Sequence, residues 1–243
     1  QTMNPTTSQT SEKISCIFNW FSKSIDSLNT FGEYDQLQLI LCAHELGVEH
    51  TNITRKVNEI ATRSEADSMD YVFQFLEQLV LMKYTTGESR QERYFDYWIR
   101  QENCMPQSEL TTAYHLGYLL MEENKLSTPE LKQMAIDWLK ERPLLPSMSF
   151  TAWVAFYLEN HKESAAAKER FDELLGLRLD NGSWNNIPLQ TVQIAYPLTL
   201  SNIDNDALEL TDRFILNLPW ESFSGDIKYE TALLKWLRLK EML

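Results

Sequence analysis

Four threonines, Thr111, Thr151, Thr191 and Thr231, stand at successive intervals of 40 residues. Each opens an apolar stretch: TTAYHLGYLL, TAWVAFYL, TVQIAYPLTL and TALLKWLRL. Five residues beyond each threonine comes a large apolar side chain, Leu116, Phe156, Tyr196 and Trp236. Between these stretches lie more charged helical segments such as STPELKQMAIDWLKER and ESAAAKERFDELLGLR. A period near 40 with two helices per unit describes a helical hairpin. A hairpin cannot bury its apolar face alone, so copies stack and cover one another. One and two periods upstream of Thr111 fall on helical segments around Tyr71 and at 34–46, where the threonine is lost and the register slips.

Apolar residues recur at i, i+3, i+4 and i+7 along most of the chain, the spacing of one buried helix face. In the first helix these are Ile14, Ile17, Phe18, Phe21, Ile25 and Leu28. The pattern predicts helices at 12–28, 34–46, 53–62, 68–84, 90–102, 108–123, 129–141, 148–160, 164–178, 188–199, 204–217 and 227–241. Ser127-Thr128-Pro129-Glu130 supplies a capping hydroxyl before a first-turn proline. Asp204 offers a negative side chain where a helix begins. One helix of each pair is nearly all apolar and the other amphipathic, which assigns them to an inner and an outer layer. The expectation is an all-α fold of about six hairpins forming a single domain over 12–243. Residues 1–11 are read as a polar tail, disordered or left over from cloning.

Composition removes several functions. Seven glycines in 243 residues, with no GxGxxG or GxxxxGK[ST], leave no backbone loop to cradle a phosphate. The net charge of −13 opposes binding along a nucleic-acid backbone. No apolar run approaches the length of a membrane span, and no signal segment is evident at the start, so a cytoplasmic protein is expected. Cys16, Cys42 and Cys104 are few, odd in number and far apart, which disfavours a disulfide framework or a cysteine-rich zinc site. They are expected to be buried thiols.

Arg178-Leu179-Asp180-Asn181-Gly182-Ser183-Trp184, followed by Thr191, resembles the QW-type repeat of squalene cyclases. The wider superfamily includes terpenoid cyclases and protein prenyltransferase β subunits. Trp220-Glu221-Ser222-Phe223-Ser224-Gly225-Asp226, ahead of Thr231, reads as a degenerate second copy. Arg178 stands where the family pattern has Gln. The resemblance covers 108–243 in sequence and implies an α/α toroid with a central pocket. Its chemistry does not carry over residue by residue. The chain has no DxDD or DDxxD, no Cys after Cys104 and no His after His161, so neither the cyclase acid nor the zinc ligands of prenyltransferases and lanthionine cyclases can be assigned. Asp204-Asn205-Asp206 is the nearest string and reads as a helix cap. No metal and no cofactor are expected.

The remaining constellation is looser. Asp35, Asp70, Glu109, Asp226 and Glu230 fall in or just before the first turns of inner helices. Acids there ordinarily complement the helix dipole. Gathered at one mouth, they would instead form an acidic rim for a cationic substrate, or include one desolvated general acid. Asp35, Asp70, Asp226 and His115 are therefore the catalytic candidates. Tyr34, Tyr71, Tyr114, Trp153, Tyr196 and Trp236 are the candidates for substrate binding, through apolar contact or their π faces. Pro197 should bend its inner helix.

The functional expectation is a protein that binds or transforms an apolar or peptide-like small molecule in a central pocket by metal-free acid–base chemistry, as in a cyclase-like biosynthetic enzyme. The alternative is a non-catalytic scaffold whose acidic surface meets a basic protein partner. A second alternative reads 39–98 as a winged-helix dimerisation or regulatory module. Its recognition helix would carry Glu65, Asp67, Asp70 and Glu77, with no basic residue before Lys83, a poor match to DNA.

Overall fold

The computed structural model describes residues 7–62, 71–84, 129–141, 147–223 and 225–242. Among these residues the fold is all-α, without strands. The helices are α1 (Thr7–Asp26), α2 (Glu33–Leu46), α3 (Thr51–Thr62), α4 (Tyr71–Tyr84), α5 (Pro129–Glu141), α6 (Met148–Asn160), α7 (Ser164–Gly176), α8 (Pro188–Ser201), α9 (Glu209–Leu216) and α10 (Ile227–Leu239). Three short 3₁₀ turns, Leu28–Thr30, Asp206–Leu208 and Trp220–Phe223, join them. The expected helices at 90–102 and 108–123 lie outside the described residues, as do Asp70, Glu109, Tyr114, His115 and the wing of the winged-helix reading.

α1 starts at Thr7, five residues before its expected start at residue 12. The added turn is polar and leaves no apolar spacing to read. Once Ile17, Phe21 and Ile25 anchor the helix, extending it is cheap compared with nucleating it. Phe18, expected on the buried face, is 39% exposed.

The apolar helices form a continuous series. α4 lies against α2, α2 against α10, α10 against α8, and α8 against α6. The amphipathic helices back them: α7 and α5 on α6, α9 on α8, and α1 on α10. α2 and α10 therefore meet although they are far apart in sequence. Cys42 on α2 points its thiol at the Thr231 carbonyl on α10, 3.7 Å away. One core cluster takes buried residues from α1 to α4 and from α8 to α10, including Phe21, Leu37, Ile60, Val80, Leu233 and Trp236. The described parts of segment 39–84 thus share their core with α8, α9 and α10.

Thr111 lies outside the described residues; the other three repeated threonines have one local role. Each is buried and donates its hydroxyl to a carbonyl four residues back: Thr151 to Ser147 (3.1 Å), Thr191 to Ile187 (2.9 Å) and Thr231 to Ile227 (2.7 Å). A β-branched hydroxyl satisfied in this way enters an apolar helix without leaving a buried polar group unpaired. Thr191 also accepts the backbone N–H of Trp184, 3.1 Å away, which ties the preceding turn to the helix start.

The tryptophans of the two turns repeat as well. Trp184 and Trp220 are essentially fully buried. Each donates its indole N–H to a carbonyl of the preceding outer helix, Leu174 at 2.8 Å and Ile215 at 2.9 Å. Arg178 donates to the Ala207 carbonyl (2.6 Å) and to Thr211 (3.3 Å), and Thr211 donates to the Gly182 carbonyl (2.8 Å). The turn between α7 and α8 is thereby clamped onto α9. Gly182 has φ +91°, and a Cβ there would sit 2.4 Å from the Leu210 carbonyl oxygen. Gly225 has φ +92° with open space around it.

The contrast between these two glycines is testable. Gly182→Ala meets both backbone strain and a backbone clash, and should cost about 3 kcal/mol or more; Gly225→Ala meets strain alone, about 1 kcal/mol. Urea denaturation of both variants checks this, and equal losses would contradict the clamp.

Candidate functional site

Five apolar helices converge on one cavity of about 430 Å³. Each contributes a stripe at helical spacing: Tyr34, Gln38, Leu41 and Glu45 from α2; Leu76, Leu79 and Lys83 from α4; Gln193, Tyr196 and Leu200 from α8. α6 adds Trp153, Phe156 and Tyr157, and α10 adds Lys228, Thr231, Ala232 and Lys235. These residues recur every three or four positions, so one face of each helix looks inward while the opposite face packs on the outer layer.

Aromatic rings make up much of the wall. Trp153 meets Tyr196 edge-on at 5.8 Å between centroids, Phe156 edge-on at 5.7 Å, and stacks on Tyr157 at 6.0 Å. These separations are those of favourable aromatic pairs. Pro197 of α8 has no N–H to give to the carbonyl of Gln193, four residues back, and Gln193 lines the cavity.

The charged groups of the wall are mainly cations. Lys83 pairs with Glu45 at 3.6 Å. Lys228 lies over the Tyr34 ring at 4.7 Å and Lys235 over the Tyr196 ring at 5.5 Å, both within cation–π range. Burial lowers the Lys235 pKa, against the opposing pull of Cys42 and Glu45, and Lys83 lowers it further. Burial raises the Tyr196 pKa, and Glu45 also favours its protonated phenol. Burial pushes the Cys42 thiol up to about 12, which keeps it protonated. His44, behind this wall, packs edge-on against Tyr84 at 5.2 Å, and burial followed by Lys83 lowers its pKa.

The sequence candidates are distributed unevenly. Tyr34, Trp153 and Tyr196 come together in the cavity wall. Tyr71 is the first residue of α4. Asp35 is partly buried in the first turn of α2 and is not in the wall. Asp226 is the exposed N-cap of α10 and accepts the Tyr229 backbone N–H at 3.2 Å. Glu230 is 2% exposed and accepts the Gly225 N–H at 2.9 Å; burial raises its pKa, partly offset by that bond. Asp226 and Glu230 therefore serve the start of α10, and the cavity wall carries Lys83, Lys228 and Lys235. Cys16 is exposed rather than buried.

Trp236 is fully buried in the core, outside the wall. The cause is a slip of one residue in the last copy. In α6 and α8 the N-cap lies four residues before the threonine, at Ser147 and Ile187; in α10 it is Asp226, five before Thr231. One residue is a rotation of about 100°. Lys235 thus takes the inward place that Phe156 and Tyr196 hold in the other copies. Spacing between threonines conceals this shift. The Gly225-Asp226 cap, one residue early, is the signal that reveals it.

No protein-family model matches the chain, and no curated protein or solved structure is significantly similar to it. Among the described residues, no group of three or more His, Cys, Asp or Glu side chains could hold a metal ion. Nor is any described helix long and apolar enough to cross a membrane.

The lowered pKa of Lys235 sets a direction for stability. The unfolded chain binds a proton there more readily, so the buried charge opposes folding below the folded-state pKa. That opposition fades as the pH rises toward the ordinary lysine value of 10.5. Lys235→Met should stabilise the protein at pH 7, with the gain shrinking by pH 10. Denaturant midpoints at the two pH values measure it, and a gain that grows with pH would contradict the assignment.

Proposed function

We propose that the helical hairpins form a small α/α toroid of the terpenoid cyclase and prenyltransferase type, and that its central cavity binds or transforms an apolar or peptide-like small molecule. The observation that carries this reading is the convergence of α2, α4, α6, α8 and α10 on one aromatic-walled space of about 430 Å³, within the usual range for small-molecule pockets. The likeness of the turns that carry Trp184 and Trp220 supports the same architecture, because both tryptophans bind the preceding outer helix alike.

The chemistry available in the wall is metal-free proton transfer. Lys235, with its pKa lowered by burial, is the lysine of the wall best suited to exchange a proton. Glu45, held by Lys83, can accept one. The Tyr196 phenol stays protonated and serves as a hydrogen-bond donor. Trp153, Phe156 and Tyr157 supply the apolar surface against which a substrate is held.

Native mass spectrometry of protein purified from its own source should show a small molecule of stoichiometric mass, released on denaturation. Ala232→Trp, which fills the cavity from α10, should abolish that adduct with helicity by circular dichroism retained. A wild-type protein that carries no adduct and takes up no apolar probe such as 1-naphthol would overturn the reading.

A further inference from the structure

The cavity wall has the opposite electrostatic character to the rest of the chain. Against a net charge of −13, its described residues include Lys83, Lys228 and Lys235 with a single carboxylate, Glu45. Lys83 and Glu45 satisfy each other at 3.6 Å. Lys228 and Lys235 have no carboxylate within ion-pair distance among the described residues. Their ammonium groups rest instead over the rings of Tyr34 and Tyr196.

The two positions differ. Lys228 is exposed in the first turn of α10, where water already solvates its charge. Lys235 lies two turns further along the same face, about 10 Å away by helical rise, and is only partly exposed. Tyr196 lies beneath it, and Leu41, Ala232 and the neutralised Lys83–Glu45 pair share the wall with it. A poorly solvated ammonium among rings and aliphatic carbons is costly unless an anion joins it. Among the described residues, no arginine fork is present in the wall to grip a multiply charged group. A single poorly solvated ammonium matches a single negative charge.

We propose that the cavity selects an apolar molecule bearing one anionic group of the carboxylate kind, with that group placed at the Lys235 ammonium and the apolar body against Trp153, Phe156 and Tyr157. This rests on the cavity being a ligand site, and adds the charge of the ligand and the residue that reads it. The one-residue slip in the last repeat is the structural device: it puts a lysine where the other two described copies hold an inward aromatic.

The test uses two compounds of nearly the same shape, 2-naphthoate and uncharged 2-naphthamide, titrated calorimetrically into the full chain at pH 7. Wild-type protein should bind the acid at least ten-fold more tightly than the amide. Lys235→Met should reduce that ratio to near one while still binding the amide, and Lys228→Met should keep most of it. Should Lys235→Met fold poorly, Lys235→Gln serves for the same comparison. Equal binding of the two compounds by wild type, or a preference that survives loss of Lys235, overturns the inference and leaves the cavity as a site for neutral molecules. Binding of neither compound overturns the ligand-site reading beneath it.

Discussion

The contact between α2 and α10 bears on most of the features described above. Stacked hairpins leave an uncovered apolar face at each end of the stack, and apolar surface left in water costs about 25 cal/mol per Å². α2 and α10 cover apolar surface on each other. Leu37, Leu41 and Cys42 of α2 enter the same core as Ala232, Leu233 and Trp236 of α10. The same contact supplies two adjoining walls of the cavity and sets Lys228 over Tyr34. Separating α2 from α10 would open the core and dismantle the site together.

The core and the cavity use the two sides of the same helices, and this limits what a sequence reading can resolve. The apolar helices are buried on both sides, so their composition hardly distinguishes an inward residue from an outward one. Trp153 and Trp236 are both large aromatics shortly after a repeated threonine, yet the first faces the cavity and the second is sealed in the core. The architecture was more legible. Thr151, Thr191 and Thr231 mark the starts of α6, α8 and α10 because each does the same hydrogen-bonding task there. Trp184 and Trp220 mark the turns for a similar reason. Residues in amphipathic α1 were harder to place: Phe18 fits the helical spacing but lies at the edge of the buried stripe. The cavity's lysines were hidden by an acidic total, since net charge averages over a surface that the site does not share.

The acidic residues at the start of α10 satisfy local needs. Asp226 caps α10 through the Tyr229 amide, and Glu230 holds the Gly225 amide of the turn before it. These bonds fix where α10 begins, and hence the rotation that brings Lys235 inward and turns Trp236 outward. The acids act on the site through helix register, without touching its interior.

The clamp that Gly182, Arg178 and Thr211 form on α9 has a consequence for motion. α9 has eight residues, well short of what holds a helix together in water by itself. Its amide protection is therefore borrowed from the turn, whose opening would expose α9, the Trp184 indole and the first turn of α8 at once. In hydrogen exchange these segments should behave as a single cooperative unit, with the long apolar helices opening separately and less often.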